Sequence, residues 1–86
     1  MTERMTTKKA IIGALENMPG LVESQLTDRV NVYRKMNGET IVSASNVDRR
    51  CRELQEEKIV IGIEEKGNNY NTWYLYGEEP KQERLF

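Results

Sequence analysis

The side chains of this chain best suited to chemistry lie between residues 43 and 57. Val47, Cys51 and Leu54 recur at i, i+4 and i+7, which places them on one face of a helix. With Val47 at zero and about 100° per residue, Arg52 falls at about 140°, Ser45 at about 160°, Arg49 at about 200° and Asn46 at about 260°. Arg50, at about 300°, sits on the flank. Two arginines and two small polar side chains thus turn away from a narrow apolar seam within the first two turns. A helix buried on one side and carrying long donors on the other has the form needed to read a nucleic acid. The bland alternative is that Arg49, Arg50 and Arg52 pair with Asp48, Glu53 and Glu56 on a wet surface, where such pairs are common and weak.

The other side chains offer little for catalysis. The chain has no histidine and a single cysteine, which removes the commonest metal ligand and general base along with any internal disulfide. No glycine-rich phosphate loop, cysteine–base pair or metal-spaced ligand cluster is present, so neither an enzyme nor a cofactor is expected. Cys51, on the inward face of its helix, reads as a small core residue and not as a redox sensor.

The 86 residues suffice for one domain with a small core. A net charge of −1 argues against a strongly basic nucleic-acid binder, so any positive patch must be local. No apolar run near membrane length and no basic-apolar leader is found, which makes a cytoplasmic location the default expectation and a membrane partner unexpected.

The elements that must carry the polar helix follow from periodicity. Residues 1–6 read as a flexible N-terminus, with Thr6 or Thr7 as a helix cap. Ile11, Leu15 and Met18 mark a first amphipathic helix over about residues 7–17, stopped by Met18-Pro19-Gly20. Val22, Leu26, Val30 and Tyr33 mark a second over about residues 22–36, with Arg34 and Lys35 favourably placed in its last turn and Asn37-Gly38 ending it. Ile41 and Val42 suggest a short extended piece under the core. Ser45 and Asp48 resemble a capping box for the third helix, with Ser43 as the competing cap.

After Glu57 the period changes to two. Residues 58–65 place Ile59, Ile61 and Ile63 on one face of a strand, and the turn 66–69 leads into a return strand over 70–76. Trp73 and Leu75 share one face of that strand; Thr72, Tyr74 and Tyr76 share the other. Four of the six aromatic residues lie here, where packing over three helices accounts for them better than base stacking does. Residues 78–86 form a charged tail, read as flexible.

Three helices followed by a two-stranded hairpin resemble a winged helix-turn-helix domain of the bacterial or phage type, an α+β fold, covering residues 7–77. The most specific likeness is the arginine pair before Cys51, then Glu53-Leu54, with an apolar strand starting shortly afterwards. Trp73-Tyr74-Leu75 is similar to the family's return strand from the wing. Two departures are plain: Lys58 stands where glycine usually closes the helix, and the second helix with its connector is longer than in compact members. The resemblance implies a DNA-binding protein, a transcriptional regulator or a replication-associated factor, whose third helix enters the major groove of double-stranded DNA. Ser45, Asn46, Arg49 and Arg52 would then reach bases or nearby phosphates, as arginine matches guanine and asparagine matches adenine. Arg50, Lys58 and Lys66, with Asn68 and Asn69 of the hairpin turn, would hold the backbone.

The tail Gln82-Glu83-Arg84-Leu85-Phe86 resembles the peptide by which bacterial replication and repair proteins dock on the sliding clamp. Gln82, Leu85 and Phe86 match its anchoring positions; Glu83 and Arg84 do not match its middle. It implies an alternative role, a protein-interaction module docked through the tail. Leu85 and Phe86 could equally cover the domain itself or a second copy in a homodimer.

Overall fold

The computed structural model describes residues 5–18, 20–64 and 71–79. In chain order the elements are α1 (Thr7–Asn17), β1 (Leu21–Val22), α2 (Glu23–Met36), α3 (Ala44–Glu56), β2 (Val60–Glu64) and β3 (Asn71–Leu75). The protein is α+β, with three helices packed on an antiparallel sheet of order β1-β3-β2. The hairpin of the sequence reading is therefore the larger part of a three-stranded sheet. Leu21 pairs with Trp73 and Val22 with Thr72, and the Gly20 N–H donates to the Trp73 carbonyl at 3.1 Å. Two residues between helices carry no periodicity, so only the free edge of β3 recruits them as a strand.

Helices α1 and α3 begin where a hydroxyl can satisfy their first amides, whereas α2 begins at Val22 with no side-chain cap. The Thr6 hydroxyl accepts from the Lys9 N–H at 3.2 Å, and the Ser43 hydroxyl accepts from the Asn46 N–H at 3.2 Å. Ser43, not Ser45, is the cap of α3. The buried stripes are Ala10, Ile11, Ala14 and Leu15 on α1, Leu26 and Val30 on α2, and Val47, Cys51 and Leu54 on α3. Met18 falls outside its stripe and is 45% exposed. The helix ends at Asn17, and Met18 leaves helical geometry at φ −139°, so the i+7 position no longer faces inward.

The inward face of β2 also differs from the expected one. Val60 is fully buried while Ile59 is exposed, so the core face carries Val60 and Gly62, paired with Leu75 and Trp73. Gly62 is required there. A β-carbon at that position would lie 2.7 Å from Cζ3 of the Trp73 indole, inside van der Waals contact. The indole, 2% exposed, occupies the volume a side chain at residue 62 would need.

Two polar side chains of α2 hold the connector to α3. Asn31 donates from Nδ2 to the Val42 carbonyl at 3.0 Å and accepts on Oδ1 from the Val42 N–H at 2.8 Å. Arg34 donates from Nε to the Thr40 carbonyl at 2.7 Å and from Nη1 to the Met5 carbonyl at 2.8 Å. Residues 41 and 42 are thus an irregular segment clasped by side chains, with Ile41 exposed and Val42 half-buried.

The end of α3 explains the missing glycine. The Lys58 N–H donates to the Gln55 carbonyl at 3.0 Å and the Ile59 N–H to the Leu54 carbonyl at 2.9 Å, the paired bonds of a Schellman cap. Lys58 occupies the left-handed position of that cap at φ 61°. Relieving its β-carbon strain gives Lys58→Gly an expected gain of about 0.5–1 kcal/mol after the added freedom of the unfolded chain is subtracted. Gly62→Ala is expected to lose about 1–3 kcal/mol by overpacking against Trp73. Urea midpoints for both variants check this; equal midpoints would contradict the geometry at both glycine-demanding positions.

Candidate nucleic-acid interface

The sequence groups nine residues as a DNA-contacting set. The structure places six of them among its described residues: Ser45, Asn46, Arg49, Arg50, Arg52 and Lys58. Lys66, Asn68 and Asn69 lie outside the described residues, as do the tail positions Gln82, Leu85 and Phe86.

Those on α3 divide into two groups. Ser45, Arg49 and Arg52 are exposed on the outward face. Arg49 makes no hydrogen bond or ion pair among the described residues, so its guanidinium is free to take a new acceptor. Arg52 donates from Nε to Asp48 at 2.9 Å, one helical turn away, with 74% of its side chain exposed. Such a pair is weakly held and its guanidinium can be redirected. Arg52 also lines a groove with Gln55 and Glu56 of α3 and Asn71 and Trp73 of β3, so helix and hairpin share one open surface.

Asn46 and Arg50 turn the other way, toward the start of α1. Asn46 Oδ1 is buried with no hydrogen-bond partner, which corrects the expectation that Asn46 projects with Ser45, Arg49 and Arg52. The reason is angular: at about 260° Asn46 lies nearer the α1 side than the outward side. Arg50 donates from Nη1 to both carboxylate oxygens of Glu53, at 2.9 and 2.8 Å. Lys8 completes the group, reaching Glu57 at 2.9 Å and Glu53 at 3.3 Å. The bland surface-pairing reading therefore describes Arg50 well, Arg52 in part and Arg49 not at all.

Charges in this group set one another's protonation. The Arg50 hydrogen bonds hold the Glu53 carboxyl below the usual carboxylate range, against some desolvation and with help from Lys8. The Glu57 carboxylate holds the Lys8 ammonium above its usual range, again opposed by desolvation. Cys51 is different: burial pushes its thiol up to about 12, with Asp48 and Glu23 adding to the effect. The thiol stays protonated and inward, as a core side chain.

Arg34, which the sequence marks only as a last-turn cation of α2, is 7% exposed. Its signal was the continuation of the Leu26–Val30 spacing by four more residues, which puts a guanidinium in the buried stripe. Among the described residues no group of three or more histidine, cysteine, aspartate or glutamate side chains could hold a metal ion, and no helix is long and apolar enough to cross a membrane. No protein-family model matches the chain, and no curated protein or solved structure matches it.

Because the folded-state pKa of Glu53 is depressed, its stabilising contribution is present above the ordinary carboxylate range and is lost as pH falls through the lowered value. For Lys8 the sign reverses: the raised value makes its contribution complete below its ordinary range and lost only on alkaline titration. Glu53→Gln is therefore expected to flatten the acid limb of the stability–pH profile between about pH 2 and 5. Urea midpoints of wild type and variant, compared across that range, test it; parallel acid limbs would show that Glu53 is not coupled to the fold.

Proposed function

We propose that this chain is a winged-helix DNA-binding protein that places the first half of α3 in the major groove and the β2–β3 hairpin against the backbone. The observation that carries the reading is Arg49, an exposed guanidinium without a partner among the described residues, on the outward face of a helix whose other face is core. Ser45 and Arg52 flank it, and the groove joining Arg52 to Asn71 makes helix and hairpin one contact surface. A role in transcription regulation or replication fits this reading equally.

The acidic balance fits the arrangement as well. Glu53 is drawn toward Lys8 and Arg50 on the α1 side, so it subtracts less from the outward face than its position in the sequence implies. The recognition surface proposed here is thus Ser45, Arg49 and Arg52, with Lys58 at the helix end contacting the backbone. Arg50 serves the α1 contact, and Asn46 is not among the base-reading residues.

Binding of a labelled pool of random duplexes, measured by fluorescence anisotropy across salt concentration, tests this. Affinity should fall steeply with salt, with a log–log slope of about −0.9 per phosphate contacted. Arg49→Ala should weaken binding and shift that slope by about one if it holds a phosphate, or relax sequence preference if it reads a base. Its stability should stay within about 0.5 kcal/mol of wild type, since the side chain touches nothing it would leave unpaired. No measurable binding to any duplex at low salt would sink the proposal.

A further inference from the structure

The polar residues on the α1 side line an open cavity of about 490 Å³ between the first turn of α1 and the flank of α3. Lys8, Arg34 and Arg50 line it with one carboxylate, Glu53, and Glu57 reaches Lys8 at 2.9 Å, leaving a local excess of one positive charge in an otherwise acidic protein. Arg34 is the unusual member. It is buried, its two hydrogen bonds go to neutral carbonyls at Thr40 and Met5, and it is in none of the ion pairs among the described residues. A buried guanidinium without a counter-charge is costly unless an anion completes it.

The second observation is independent of Arg34. Asn46, also lining the cavity, has a buried Oδ1 with no partner. A phosphoryl group suits this wall: its oxygens accept from the guanidinium and ammonium groups and from the Asn46 amide nitrogen. The Thr6 hydroxyl, at the same wall, adds a further donor at the positive end of α1.

We infer that this cavity is a phosphoryl-binding site, built by Lys8, Arg34, Asn46 and Arg50, with Glu53 occupying two of its cations when it is empty. The volume lies within the range of small-ligand pockets and exceeds a phosphate alone, so the phosphoryl group arrives attached to a larger body. That body is either a small phosphorylated molecule or the backbone of a duplex held by α3. The site does not depend on α3 reading DNA.

Titration of the isotope-labelled full chain with inorganic phosphate, followed by amide resonances against a matched chloride control, tests this. Saturable shifts are expected at Thr6, Thr7, Lys8 and Asn46. Lys8→Gln should weaken phosphate binding about three- to tenfold by removing one charge-assisted bond, and Glu53→Gln should tighten it by a similar factor by freeing Arg50 and leaving Lys8 with Glu57 alone. Opposite signs from two members of one ion-pair network are not the result of a merely structural role, which would move both the same way. Shifts that match the chloride control, or a Glu53→Gln variant that binds more weakly, overturn the inference. Duplex added at saturating phosphate separates the sources. Competition that weakens in Lys8→Gln assigns the site to a backbone phosphate, and independent binding assigns it to a small phosphorylated molecule. A chain that binds phosphate but no duplex removes the DNA proposal and leaves this site standing.

Discussion

The fold depends on one indole. Trp73 sits on the central strand, paired on one side with Leu21 and on the other with Gly62, and lies in the same core as the stripes of all three helices. Burying an aromatic of this size removes roughly 200 Å² from water, on the order of 5 kcal/mol before ordering costs. That is a large fraction of what a domain this small can hold in reserve. The same ring explains two local features: residue 62 has no side chain because the indole fills its place, and β1 exists because β3 has a second edge beside Trp73.

The connector between α2 and α3 is held by polar contacts, beside the apolar core that the two helices share. The connector offers only Val42 to the core, too little to fix an angle between two helices. Asn31 compensates by pairing with both backbone groups of Val42 as a neighbouring strand would, and Arg34 ties Thr40 to Met5. Directional bonds of this kind fix geometry more sharply than apolar burial, which tolerates sliding. The long connector that departs from the winged-helix pattern is therefore held, and the outward face of α3 with it.

Helices were the legible part of the sequence because their signal accumulates over three turns. Stripes such as Leu26–Val30 and Val47–Cys51–Leu54 admit one helical register. The strand β2 was harder, since Ile59, Val60, Ile61 and Ile63 put apolar residues on both faces, and alternation then decides nothing. What decides it is Gly62, legible only once Trp73 is known to lie opposite. The two-residue β1 left no sequence signal because a strand distant in the chain imposes it, whereas the left-handed Lys58 closes a local cap on Leu54 and Gln55 at the place where a glycine is usual. In the candidate site, Arg49 and Arg52 were placed correctly by helical angle alone, while Asn46 was not. A side chain about 100° from the seam can turn either way, and the first turn of α1 beside it settles the direction.

The division of the arginines follows from where carboxylates can reach. Glu53 is three residues from Arg50 on the same flank and within 3.3 Å of Lys8, so its charge is spent between two cations facing α1. Asp48 is the acid nearest Arg52, across one exposed turn. Arg49, nearly opposite the seam, has Glu53 one turn along, already engaged by Lys8 and Arg50, and Glu56 on its own face about two turns along. A helix bearing nearly equal numbers of acids and bases thus still presents an unpaired cation at one place. Net charge, which averages over the whole chain, is the wrong quantity for judging such a surface. The relevant one is which cations remain after the local pairs have formed: on the outward side of α3 that is Arg49, and in the cavity it is Arg34 of α2.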